Sequence, residues 1–181
     1  MSDCKSDGSN TYGGSNPPAA PFYKRYQVPY YDKIKQELLP IVKQEIEKKD
    51  KPIREIIIPD TVYFKKFIES LNSNPVMIEI YVQQAKNTNV IHRDKGAGIA
   101  YNWSVNIPIM GYENSSTSFW NTNGPPKCND VWFWNYDKSV LLKEYSTEGI
   151  FAMDTRVPHS VNATNLRVNI LCRMPLGWLP K

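Results

Sequence analysis

The chain has only two histidines among its 181 residues, and both lie where they could bind a metal ion. Asp94 follows His92 by two positions, and residues i and i+2 of an extended backbone point to the same side. His159 follows a second apolar segment, so it can reach the first pair from a neighbouring strand. Two imidazole nitrogens and one carboxylate oxygen on one face are typical of a non-haem Fe(II) site with open coordination positions. We predict that His92, Asp94 and His159 are metal-binding, catalytic residues.

Other interpretations of these residues carry less weight. His92-Arg93-Asp94 also matches the start of the protein-kinase catalytic loop, but no Asp-Phe-Gly sequence follows and no Gly-rich ATP loop is present. A structural zinc site seldom includes a carboxylate. Either histidine taken alone is more often a strand-end or core residue than a ligand, so the prediction depends on the segment that follows His159.

That segment contains an arginine suited to binding a carboxylate. Residues 162–165 predict a turn, and from Leu166 apolar and polar positions alternate, so that one side carries Arg167, Asn169, Leu171 and Arg173. We expect a hairpin here, which would bring Arg167 back beside the metal ligands. The planar guanidinium group can hold a carboxylate through two parallel hydrogen bonds.

The order His92-x-Asp94, His159, Arg167 resembles the signature of the Fe(II)/2-oxoglutarate-dependent dioxygenase superfamily. Arg167-Val168-Asn169 resembles its Arg-x-Ser element, with Asn in the place of Ser. The segments 105–109 and 117–120 are similar to those of small phage and bacterial members. The resemblance covers roughly residues 76 to 174.

The resemblance implies a double-stranded β-helix, or jelly roll, buttressed by helices. It implies Fe(II) bound by the triad, 2-oxoglutarate as cosubstrate and O2 as oxidant, with hydroxylation of a peptidyl side chain or a small metabolite and release of succinate and CO2. Arg167 would pair with the far carboxylate of 2-oxoglutarate. Because the spacing from His159 is shorter than usual in the family, Arg173 is the alternative. Further cosubstrate contacts are expected from Asn169, Asn106 and Tyr81.

A second function stays open at this point. A cupin-like metal-binding protein, or a metalloenzyme that does not use 2-oxoglutarate, would need the same kind of barrel. Cupins generally use more histidines than the two present here.

The elements that position these residues fall into two groups. Apolar residues at helical spacing predict helical support over residues 30–73, interrupted at Pro40 by a kink or a break between two short helices. Asp60-Thr61 predicts an N-cap for a helix over residues 62–71. Beyond Pro75 the chain changes to short segments rich in β-branched and aromatic residues, which predict a β core over residues 76–174.

From the residues alone this order predicts a mainly β protein with N-terminal helices, in a sandwich or barrel. Within the strand around residues 101–106, we expect one side to carry Tyr101, Trp103 and Val105 and the polar side to line a pocket. Two aromatic groups have open roles. Trp120 and residues 131–134 line the cavity or belong to the core, and the aromatics of residues 22–31 form a docking arm or core.

Composition limits the remaining classes. Residues 1–20 are predicted to be a disordered tail, and residues 21–181 a single oxygenase-like domain. The net charge of +4 is mild, and we expect no nucleic-acid partner. Three cysteines without a CxxC pair, and no apolar run near the roughly 18 residues of a membrane span, predict a soluble cytoplasmic protein without a membrane partner. The sequence does not indicate an oligomeric state.

Overall fold

A computed structural model of the chain describes residues 21–47, 53–56, 58, 61–84, 87–88, 90–94, 100–122, 127–128 and 132–181. The predicted tail over residues 1–20 lies outside these ranges. Within them are two α-helices, α1 (Tyr31–Glu47) and α2 (Val62–Ser70). Neither has the length and apolar character needed to cross a lipid bilayer.

Helix α1 buries one narrow stripe. Ile34, Leu38 and Val42 recur every four residues and are fully buried. The helix continues through Pro40 instead of dividing into two. Pro40 lies on the exposed side, where loss of one backbone hydrogen bond disturbs no packing.

Helix α2 begins one residue after Thr61, as predicted, but the side chain of Thr61 makes no capping hydrogen bond. The cap comes from α1 instead. The carboxylate of Glu37 accepts the backbone N–H groups of Tyr63 and Phe64 at 2.9–3.0 Å. A negative charge at a helix N-terminus is favourable, so this contact fixes the two helices relative to each other.

The strands form two antiparallel sheets. They are β1 (Tyr23–Arg25), β2 (Ile53–Glu55), β3 (Met77–Gln83), β4 (Asn87–Thr88), β5 (Ile91–Arg93), β6 (Tyr101–Met110), β7 (Ser116–Thr122), β8 (Lys127–Cys128), β9 (Trp132–Trp134), β10 (Ser139–Ser146), β11 (Phe151–Asp154), β12 (His159–Ala163) and β13 (Arg167–Pro175). The six-stranded sheet has the order β1-β11-β6-β13-β3-β2. The seven-stranded sheet has the order β10-β7-β12-β5-β9-β8, and β4 pairs with β12.

The pairing of the central strands is nested. Strand β7 pairs with β10, β6 with β11, β5 with β12 and β3 with β13, so that each pair encloses the previous one along the chain. Successive strands also pass between the sheets, because β3, β6, β11 and β13 lie in one sheet and β5, β7, β10 and β12 in the other. The predicted mainly β architecture with N-terminal helices is confirmed, and its β part consists of two antiparallel sheets.

The two faces of the six-stranded sheet differ in character. One face packs against α1 and α2 and contains the main apolar core, with Trp103, Val105, Ile107, Val168, Ile170 and Cys172 among its buried members. The opposite face is turned to the seven-stranded sheet and carries Ser104, Asn106, Arg167 and Arg173, all buried. The predicted alternation along β6 and β13 is therefore present, and it separates core from cleft. Tyr101 departs from it, because its ring lies against the guanidinium of Arg173 at 4.9 Å instead of joining the core.

Two local predictions differ from the structure, and one alternative that the sequence left open is resolved. The predicted hairpin between His159 and Arg167 is wrong, because β12 and β13 lie in different sheets and the turn, at residues 164–166, carries the chain across the sandwich. Strand β10 was not predicted, since Val140, Leu141 and Leu142 interrupt the alternation at a bulge. The aromatic residues near the N-terminus pack against the protein, with β1 paired to β11 and Phe22 4.7 Å from Phe119.

Candidate metal centre

The structure brings together the three residues that sequence spacing selected. His92 lies in β5 and pairs in register with His159, the first residue of β12, and Asp94 directly follows β5. The Oδ1 atom of Asp94 lies 3.6 Å from His92 Nε2 and 3.4 Å from His159 Nε2. The three ligand atoms lie within 4.8 Å of one another, so a single ion could contact all of them.

Both imidazoles are held in the form that a metal requires. The Nδ1 atoms of His92 and His159 lie 2.8 Å from the backbone oxygens of Val90 and Val157. A carbonyl oxygen can only accept, so each Nδ1 carries the proton and donates it. In a neutral imidazole this leaves the lone pair on Nε2, and both Nε2 atoms lie on the side of Asp94. Such backbone contacts fix the tautomer and ring orientation of metal-binding histidines.

The protonation states also favour a cation between these groups. Burial, together with neighbouring His159, lowers the pKa of His92 to about 4, so its imidazole is neutral at pH 7. Burial by itself raises the pKa of Asp94, but Arg173 and the two imidazoles outweigh it and hold this pKa well below its usual range. At neutral pH His92 is therefore a neutral imidazole and Asp94 is a carboxylate.

Asp94 is oriented by a buried arginine. Arg173, near the end of β13, donates from Nη1 to Asp94 Oδ2 and from Nε to Glu79 Oε2, the latter at 2.7 Å. Its guanidinium also lies over the ring of Tyr101. Burial disfavours the cation, but Asp94, Tyr101 and Glu79 raise the pKa of Arg173 above its ordinary value. Asp94 thus directs Oδ2 at Arg173 and Oδ1 at the histidines.

The triad lies at one end of a cleft between the two sheets. The cleft has a volume of about 510 Å³, part of it open to solvent. Apolar contributions to its wall come from Met153, Val161 and Leu171, and polar ones include Tyr81, Ser104, Asn106 and Thr117. This mixture of apolar walls and a few polar groups is typical of a small-molecule site.

Arg167 also lines this cleft, and it is 2% exposed. Its Nη1 lies 3.4 Å from Gln83 Oε1, and its Nε has no hydrogen-bond partner among the described residues. No carboxylate in the described part of the chain forms an ion pair with it, in contrast to Arg173. Burial lowers the pKa of Arg167 to about 10, with Tyr81 acting in the opposite sense, so it remains a cation at neutral pH. A buried, uncompensated cation is costly, and a bound anion would offset that cost.

A glycine fixes the backbone at the start of β13. Gly111 has φ +63°, and a Cβ atom there would lie 1.9 Å from the backbone oxygen of Leu166 and 3.2 Å from Cα of Arg167. The turn after β6 therefore packs directly on the backbone that carries Arg167. A side chain at this position would displace that backbone.

The other predicted cosubstrate contacts are distributed around the cleft. Asn106 and Tyr81 line it, whereas Asn169 is fully buried beside them, with Nδ2 3.4 Å from Asn106 Oδ1. The Oδ1 atom of Asn169 has no partner among the described residues. Trp120 and Trp134 do not line the cleft, and Trp120 donates its indole N–H to Ser160 Oγ.

Sequence reasoning missed Glu79. The available signal was its position as the one charged residue in the apolar run from Met77 to Val82, two positions before Tyr81. Its role depends on strand register, because β3 pairs with β13 and so lies beside Arg173. A single strand sequence does not reveal that neighbour.

Comparison with known proteins adds no assignment to this geometry. The chain matches no family model and no curated protein sequence. A functional interpretation therefore depends on the residues of the cleft.

Proposed function

We propose that the chain is an Fe(II)- and 2-oxoglutarate-dependent oxygenase. The observation that carries the proposal is the buried cation of Arg167, which has no carboxylate partner among the described residues and faces the same cleft as His92, Asp94 and His159. One end of the cleft offers metal ligands and the other offers a binding site for a carboxylate. A 2-oxo dicarboxylic acid has the matching pair of ends.

The donor set fits iron. Two imidazole nitrogens with free lone pairs and one ionised carboxylate on a common face are the ligands of non-haem Fe(II) sites, which keep further positions for other ligands. A structural zinc ion would more usually have four protein ligands, and the described residues provide three.

The strand order supports the jelly-roll fold that accompanies this proposal. Eight strands in four nested antiparallel pairs, passing between two facing sheets, correspond to the arrangement of a double-sheet jelly roll. In this arrangement β5, β12 and β13 bring their functional residues to one cleft from distant parts of the chain.

The chain's own residues would bind and orient the reactants. Arg167 would hold the far carboxylate of 2-oxoglutarate by charge-assisted hydrogen bonds, and Asn106, Asn169 and Tyr81 are candidates for further contacts. Arg173 would keep Asp94 ionised and fixed in direction. When bound, iron and 2-oxoglutarate would supply the O2-dependent oxidation of the substrate, a peptidyl side chain or small metabolite, with release of succinate and CO2.

The proposal is tested by anaerobic titration of the Fe(II)-loaded protein with 2-oxoglutarate. We expect a weak visible absorption band and, on admission of air, formation of succinate. His92→Ala should lose iron binding. Arg167→Met should retain iron but lose the band at 2-oxoglutarate concentrations that saturate the original protein. Lys143→Met, which removes an exposed cation on β10, is the matched control and should behave as the original protein.

The outcomes separate the alternatives. Stoichiometric iron binding without the band would overturn the cosubstrate and favour a cupin-like metalloprotein that does not use 2-oxoglutarate. Failure to bind one equivalent of Fe(II) would overturn both functions.

A further inference from the structure

Two buried hydroxyl groups in the cleft lack hydrogen-bond partners. Ser104 is 1% exposed and Thr117 is fully buried, both line the cleft, and neither Oγ of Ser104 nor Oγ1 of Thr117 has a partner among the described residues. We propose that these hydroxyls contact opposite ends of the bound 2-oxo acid, Thr117 at the far carboxylate and Ser104 at the end held by the metal ligands. The inference rests on the proposed function and assigns two specificity-determining residues to it.

Thr117 belongs to the Arg167 end of the cleft. It pairs in register with Val161 of β12. The backbone oxygen of Val161 accepts a hydrogen bond from Gln83 Nε2, and Oε1 of the same amide lies 3.4 Å from Arg167 Nη1. Gln83 thus links the β12 position opposite Thr117 to Arg167. A carboxylate accepted by Arg167 has further lone pairs available for a hydroxyl from the opposite sheet.

Ser104 belongs to the triad end. It pairs in register with Arg173, whose guanidinium binds Asp94, and with Met153 on the other side. Asn106 Nδ2 donates a hydrogen bond to the backbone oxygen of Ser104. The side-chain hydroxyl of Ser104 therefore stays available to a ligand in the cleft. An oxygen-rich group bound beside the three metal ligands would meet this hydroxyl.

The spacing of the two ends suits a short dicarboxylate. His159 marks the triad end and Val161 the Thr117 end of the same strand, and two residues of an antiparallel strand cover about 7 Å. A five-carbon chain spans about 5 Å between its terminal carbons, which leaves room for hydrogen bonds at both ends. Buried hydroxyls without partners are uncommon because their desolvation is not offset, and here a bound acid would supply both partners.

The experiment uses two ligands, each of which has only one of the two functional ends of 2-oxoglutarate. Glutarate has the far carboxylate but no 2-oxo group, and pyruvate has the 2-oxo acid group but no far carboxylate. Binding of glutarate to the metal-free protein, and of pyruvate and 2-oxoglutarate to the anaerobic Fe(II) protein, is measured by calorimetry and by the shift in melting temperature. We compare the original protein with the near-isosteric Thr117→Val, with Ser104→Ala, and with Thr117→Ser, which restores a hydroxyl.

We expect crossed effects. Thr117→Val should weaken glutarate about tenfold and leave pyruvate unchanged, whereas Ser104→Ala should weaken pyruvate about tenfold and leave glutarate unchanged. Both should weaken 2-oxoglutarate, and Thr117→Ser should restore most of the affinity. Because neither hydroxyl has a partner in the described structure, the melting temperature without ligand should not fall.

A neighbouring serine provides a control that should change the melting temperature but not the ligand affinities. Ser118 follows Thr117 but turns to the other face of the sheet, where its Oγ donates to Glu144 Oε2 at 2.7 Å. Ser118→Ala should lower the melting temperature and leave all three ligands unaffected. Equal binding by the Thr117→Val, Ser104→Ala and original proteins would overturn the inference while the proposed function stands. Absence of 2-oxoglutarate binding by the original Fe(II) protein would overturn both.

Discussion

Strand β13 carries two buried arginines on one face, and their surroundings differ at its two ends. Arg173 is paired with Asp94 and Glu79 and lies against Tyr101. Arg167 is as deeply buried, yet its one described side-chain contact is a 3.4 Å approach to the neutral amide of Gln83. The pKa shifts follow this difference, since that of Arg173 is raised and that of Arg167 is lowered to about 10.

The contrast indicates different roles for two residues of the same type. The charge of Arg173 is compensated within the protein, so it can orient Asp94 but offers little to a ligand. The charge of Arg167 is uncompensated among the described residues, so it gains most from an incoming anion. This favours Arg167 over Arg173 for the carboxylate contact that the sequence left open between them.

The largest effect should come from Arg173→Met. It leaves Asp94 and Glu79 in a partly buried site without their cation, and breaking such a pair costs about 3 kcal/mol or more. Chemical denaturation of the metal-free protein measures the loss in the free energy of unfolding. The matched control Lys143→Met should change it by less than about 0.5 kcal/mol. A loss no larger than that of the control would mean that Arg173 is not held as described.

Arg167→Met should have the opposite effect on stability. Replacing an uncompensated buried cation by an apolar side chain should raise the free energy of unfolding of the ligand-free protein by about 1 kcal/mol. The same variant should lose the stabilisation that glutarate gives the original protein. Differential scanning calorimetry with and without glutarate tests both parts. Destabilisation similar to that of Arg173→Met would mean that the charge of Arg167 is also compensated within the protein.

The free energy of unfolding should depend on pH differently in the original protein and in Arg167→Met. The pKa of Arg167 is about 10 when folded, below its ordinary value, so the folded protein releases this proton at lower pH than the unfolded chain. The destabilisation by Arg167 is therefore complete below pH 10 and is relieved as pH rises through that value. The stability advantage of Arg167→Met should shrink by at most about 1.4 kcal/mol per pH unit there. Paired denaturation curves from pH 8 to 11 measure it, and a constant difference would contradict the shift.

Glu79→Gln should give a smaller loss than Arg173→Met. Arg173 keeps Asp94 and exchanges one charged partner for a neutral acceptor, so the loss should be about 1 kcal/mol. Denaturation of this variant beside Arg173→Met provides the comparison. A loss equal to that of Arg173→Met would indicate that Glu79, not Asp94, is the partner that stabilises the arginine.

Local patterns in the sequence were sufficient to predict which side chains share one face of a strand or a helix. The i, i+2 relation of His92 and Asp94 and the alternation from Leu166 predicted which side chains share a face, because strand geometry requires it. The helical spacing of Ile34, Leu38, Ile41, Val42 and Ile46 predicted α1 in the same way, and Ile34, Leu38 and Val42 form its fully buried stripe. These features depend on neighbours within a few positions.

Features that depend on strand register could not be predicted from the sequence. Asp94 and Arg173 are 79 positions apart, and their contact requires β13 to be placed against β3 and β6. The polar residues around Asn162 resembled a simple turn, although Asn162 pairs with β7 in the seven-stranded sheet. Alternation assigns side chains to faces, but it does not identify which strand lies alongside.

The nested pairing also has a kinetic consequence. The innermost pair joins residues such as Ser118 and Glu144, 26 positions apart, whereas Arg167 and Gln83 in the outermost pair are separated by 84. Closing a short loop loses less chain entropy, so we expect β7 and β10 to associate early and β3 and β13 late. His92 meets His159 when β5 pairs with β12, the third pair from the inside, and the contacts of Arg167 and Arg173 form when β3 pairs with β13, the outermost pair. Refolding should therefore be slow, and both ends of the cleft should become competent for ligands only in its last phase.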